Sequence, residues 1–113
     1  MDEDLEALRA RWLELMRVRL PEAARYHSDW PIRLDHCFGR VILDAVCDRP
    51  WHEAISAPAW RHLSEDQLHQ AIALAEAILS GEADLHALNV RSLDARRLSR
   101  AHARSRPRPD APA

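Results

Sequence analysis

The sequence predicts an all-α fold, an irregular bundle of four to five helices followed by a disordered, basic C-terminal tail. Three observations predict it. Alanine (19 residues) and leucine (15 residues) dominate the 113-residue chain, and both favour helix over strand. Apolar residues recur at helical spacing in several separate stretches, while no stretch shows the alternation of a half-buried strand. Prolines and capping residues fall between those stretches rather than inside them. At 47% apolar residues the chain can build a core, so wholesale disorder is excluded, and its length fits one domain. Residues 1–98 are read as that domain and residues 99–113 as the tail.

The first helix is expected from Asp2 to Leu20. Leu5, Leu8, Trp12, Leu15 and Met16 share a face, and Asp2, Glu3 and Asp4 suit the positive end of the helix dipole. Pro21 predicts a stop or a kink, with Glu22–His27 as a short continuation. Pro31 is well placed to open the next helix, because the preceding Trp30 is pushed towards an extended conformation. Leu34, Cys37, Phe38, Val41, Ile42, Ala45 and Val46 then give the clearest amphipathic pattern in the chain, and this helix is expected at the centre of the core. Asp48-Arg49-Pro50 ends it.

Trp51–Ser56 is read as one short helix stopped by Pro58, and Trp60–Leu63 leads to Ser64. Ser64 with Gln67 forms a capping box for a helix whose apolar face is Leu68, Ala71, Ile72, Ala75, Ile78 and Leu79. Gly81 sits where a left-handed cap would end it. The last helix is expected from Ala83 to Leu98, packing through Leu85, Leu88 and Leu93. Short connections imply that sequential helices are roughly antiparallel neighbours.

A net charge of −2 averages two unlike parts. Residues 1–95 hold 10 Arg against 17 acids, a net of −7, and residues 96–113 hold 6 Arg against 1 acid, a net of +5. The acidic body is a poor electrostatic footprint for a nucleic-acid domain. The helix-turn-helix spacing around Gly81 would also place Glu82 and Asp84 against phosphate. Nucleic acid is therefore expected only as weak association through Arg96–Arg108. No apolar run is long enough to span a membrane, and Met1–Glu6 lacks a signal-peptide pattern, so a bacterial-type cytoplasm is expected. Cys37 and Cys47 on one helix would stand about 15 Å apart, beyond the reach of a disulfide.

The candidate chemistry lies on the polar face of the central helix. His36, Arg40 and Asp44 form one stripe at four-residue spacing, with Asp35 beside it. Such a stripe can bind an anion or move a proton, or it can be a solvated face with an Arg40–Asp44 ion pair. Trp30, Trp51 and Trp60 fall at loop edges near the ends of this helix, where they cover the core or line a cleft. His27, His36, Cys37, Cys47, His52, His62 and His69 do not fall at metal-site spacing, so no metal is expected. With two glycines there is no nucleotide cradle, and no catalytic motif or cofactor site is evident.

The run from Trp30 through Pro31, Asp35, His36, Cys37, Phe38, Gly39 and Arg40 to Asp44 carries a resemblance to a group of short bacterial proteins. It continues in Pro50-Trp51, Leu63-Ser64, Leu88-Asn89 and Ser92-Leu93, covering residues 28–97. Some of those proteins are labelled by association with GNAT-type acetyltransferases. Strands and a pyrophosphate-binding turn are missing here, so the resemblance implies an accessory role rather than a self-contained enzyme. It singles out Asp35, His36, Arg40, Asp44, Trp51, Asn89 and Ser92. The leading expectation is a small helical protein-interaction module without catalysis of its own. The alternative is a binder or enzyme using the stripe on an anionic metabolite such as a coenzyme A ester, where Arg40 would grip phosphate.

Overall fold

The computed structural model describes residues 4–105, and within them every element of regular secondary structure is helical. The elements are α1 (Leu5–Glu14), a π-helical turn (Leu15–Arg19), α2 (Leu20–Ala24), α3 (Asp35–Cys47), a 3-10 turn (Trp51–Glu53), α4 (Ala59–His62), α5 (Glu65–Ser80) and α6 (Leu85–Ser105). No strand occurs among the described residues.

Pro21 neither stops nor ends the first helix. A proline inside a helix offers no N–H, and its ring crowds the carbonyl one turn earlier. The preceding turn widens instead: the Leu20 N–H donates to the Leu15 carbonyl five residues back. The π turn takes up the disturbance, and helix continues to Ala24.

Both ends of α5 follow the expected chemistry. The Ser64 N–H donates to Gln67 Oε1 at 2.9 Å, and the Gln67 N–H donates to Ser64 Oγ at 3.1 Å. Gly81 closes the helix at φ 84°, a conformation that strains a residue bearing a Cβ.

The core forms where α1, the π turn, α3 and α5 meet. Leu8, Trp12, Leu15, Met16 and Leu20 come from the first rod, Phe38, Val41 and Ile42 from α3, and Leu68, Ala71, Ile72, Ala75 and Ile78 from α5. Leu34 opens the apolar pattern but takes an extended conformation just before α3, and its side chain is exposed.

Packing order is not chain order. α5 lies against α1 and α3, and α6 lies chiefly against α3 rather than beside α5. Two expectations for α6 are corrected here. It does not end at Leu98 but runs to Ser105, so residues 99–105 of the expected disordered tail are helical; the remainder of that tail, residues 106–113, lies outside the described residues. It also packs through Leu85 and, partly, Leu88, while Leu93 is 50% exposed and Ser92 is buried in its stead. The buried side of α6 is largely polar, and this is what makes the contact with α3 unusual.

A buried polar clamp as the candidate functional site

Helical spacing sets Arg40 and Asp44 one turn apart on α3, and Asn89, Ser92 and Arg96 at i, i+3 and i+7 on α6. The two rows face each other. Arg40 Nη1 donates to Ser92 Oγ and Nη2 to Asn89 Oδ1, both at 2.8 Å. Ser92 Oγ in turn donates to Asp44 Oδ2 at 2.6 Å. Arg96 grips the same carboxylate with two bonds, Nε to Oδ2 at 2.8 Å and Nη2 to Oδ1 at 3.1 Å. The Trp51 backbone N–H completes the set at 2.9 Å from Oδ1. Asp44 thus accepts four hydrogen bonds while its side chain is 2% exposed.

A buried carboxylate needs such compensation, because desolvation of a charge is unfavourable unless partners replace the water. The low polarity around it also strengthens each bond. The expected Arg40–Asp44 ion pair is not made. Ser92 relays between the two, and Arg96 carries the charge opposite Asp44. At the rim, Arg91 pairs with Asp48 at 2.7 Å, and Ser99 donates to Glu53.

Of the residues singled out in the sequence, the structure brings Arg40, Asp44, Asn89 and Ser92 together, with Trp51 contributing its backbone. His36 and Asp35 stand outside: the His36 side chain is 74% exposed and meets only the neighbouring Asp35, at 3.5 Å. Trp30 serves elsewhere, stacked on His27 with ring centroids 4.5 Å apart and edge-on to Phe38 at 5.8 Å. The Trp51 ring meets His52 edge-on. Arg96 is the member that sequence reasoning assigned to the basic tail. Its place at i+7 from Asn89 and i+4 from Ser92 was the available signal.

This arrangement holds two helices together and leaves little for a ligand. Both Nη atoms of Arg40 are engaged, so its fork is not open to phosphate. The void beside Asp44, lined by Ala45, Asp48, Leu88, Arg91 and Ser92, is about 70 Å³. Pockets for drug-sized ligands begin at about 300 Å³, so the void suits water rather than a coenzyme A ester. Among the described residues no three His, Cys, Asp or Glu side chains stand close enough to hold a metal ion. Within the basic stretch, Arg96 is bound to Asp44 and Arg97 to Asp94 at 2.7 Å. No helix among the described residues is long and apolar enough to cross a membrane.

Both cysteines are free thiols. Burial pushes the Cys47 thiol above its usual range, the Asp44 carboxylate adds to the rise, and Arg49 opposes it. The thiol form is therefore favoured in the fold. At mildly alkaline pH, iodoacetamide is expected to modify Cys47 more slowly in the native protein than in denaturant, with the rate rising only at pH above that of a free cysteine. Site-resolved mass spectrometry checks this, and equal rates in both states would contradict it.

No protein-family model, curated protein or solved structure matches this chain.

Proposed function

We propose that this protein is a helical interaction module without catalysis of its own, which presents the outer face of α6 to a protein partner. The observation that carries the reading is an apolar strip on the side of α6 turned away from the clamp. Val90 is 56% and Leu98 68% exposed, and with Ala87 they form the apolar part of an open groove of about 670 Å³ that Asp84, Arg91 and Asp94 also line. Single exposed apolar residues are ordinary on a protein surface, whereas a strip of them at helical spacing marks an interaction face. The clamp supports the same reading, since it fixes the rotation of α6 and so determines which residues face outward.

Photo-crosslinking tests it. A benzophenone side chain placed at Val90 is expected to capture protein in the native cell, and the same group at the exposed Asp66 of α5 is not. Absence of adducts at position 90, or equal capture at both positions, would overturn the reading.

A further inference from the structure

The outer face of α6 carries a pattern whose spacing is the same after reversal and whose two ends are opposite in charge. Along the strip lie Asp84, Ala87, Val90, Asp94, Leu98, Ala101 and Arg104, spaced three or four apart over about 30 Å of helix. Acid stands at the start, arginine at the end, and small or branched apolar residues between. Two such helices laid antiparallel about an axis through Asp94 set Asp84 against Arg104 of the second copy, Ala87 against Ala101, and Val90 against Leu98. Each pairing occurs twice, as a two-fold interface requires. The alanines let the helices approach closely, and the apolar pairs flank the axis.

We infer that the partner of this face is a second copy of the same chain, docked through an antiparallel α6–α6 contact. The inference rests on the reading of α6 as the docking face.

Charge decides the direction. A parallel pair would set Asp84 against Asp84 and Arg104 against Arg104 of the two copies. The antiparallel pair instead brings the acidic beginning of each α6 to the basic end of the other. At the axis the two Asp94 carboxylates meet, and each already holds Arg97 of its own helix at 2.7 Å, so the centre is a mixed cluster rather than bare like charges. Arg91, which faces Arg97 of the second copy, is neutralised by Asp48 at 2.7 Å. Asp84 keeps its helix-capping bond from the Ala87 N–H at 3.1 Å and has a second carboxylate oxygen left to accept from Arg104. A strip about 30 Å long and about 10 Å wide falls short of the roughly 800 Å² per partner of a standard interface. The dimer is accordingly a weak and reversible one.

Sedimentation velocity of the full chain across a hundredfold concentration range tests this. The mass is expected to rise from the 13.0 kDa monomer towards twice that value. Val90→Glu alone and Leu98→Arg alone are each expected to weaken association by about tenfold or more. Both side chains are more than half exposed, so helicity and melting temperature should stay near those of the parent. An equimolar mixture of the two variants is expected to recover dimer, because the introduced carboxylate faces the introduced guanidinium only in the antiparallel register. A chain that stays monomeric, variants that associate like the parent, or a mixture that fails to recover would overturn the inference. A monomeric chain whose position 90 still crosslinks to another protein would overturn it and leave the docking-face reading standing. No self-association together with no crosslink would remove both.

Discussion

Asp44→Ala is expected to destabilise the fold by about 3 kcal/mol, the lower end of what removing one partner of a buried ion pair costs. The Arg96 guanidinium, the Ser92 hydroxyl and the Trp51 N–H all lose their acceptor at once. Arg96 is about a quarter exposed and recovers some water, which sets the estimate at the lower end. For a domain of this size each kcal/mol moves the melting temperature by roughly 4–8 °C, so the fall should exceed about 10 °C. Thermal or urea denaturation measures it. A change below about 1 kcal/mol would mean that the clamp does not hold α6. Asp44→Ala combined with Arg96→Ala should lose less than the sum of the single effects, because the two residues share one interaction.

Phe38→Ala should have an effect at least as large, about 3–5 kcal/mol. Phe38 is fully buried on α3 and supports the edge of Trp30. Truncation removes the ring and leaves a cavity that packed helices cannot close. Native domains hold only about 5–15 kcal/mol in total, so this variant is expected to unfold near physiological temperature or not to fold cooperatively at all. Phe38→Leu keeps more of the volume and should lose less than about 1.5 kcal/mol. Near-parental melting of the alanine variant would show that the centre of the core lies elsewhere.

The elements that rest on local chemistry were the ones legible in the sequence. α5 announces both of its ends, through Ser64 with Gln67 and through Gly81. α3 is written in the spacing of Phe38, Val41 and Ile42. The site was partly legible: Arg40, Asp44, Asn89 and Ser92 were named, but as an open stripe and a separate pair. What local pattern could not show is that they face one another across roughly fifty residues of chain. Counting apolar positions assumes that the buried side of a helix is oily, which made Leu93 a packing residue. On α6 the buried side is Asn89, Ser92 and Arg96, and it becomes intelligible only once Arg40 and Asp44 of α3 stand opposite. The π turn before Pro21 escaped for a related reason. Proline signals a broken hydrogen bond, and the neighbouring turn can absorb that loss without ending the helix.

The polarity of the seam between α3 and α6 also bears on how the protein behaves when it comes partly apart. In most bundles a helix that swings away uncovers an oily stripe, and such openings seed clumping during synthesis or heating. Here the swing of α6 uncovers a carboxylate, guanidinium groups, an amide and a hydroxyl, with Leu85 and Leu88 as the main greasy contribution. Water can solvate most of that surface. α6 is thus a helix whose late docking leaves the rest of the bundle colloidally tolerable.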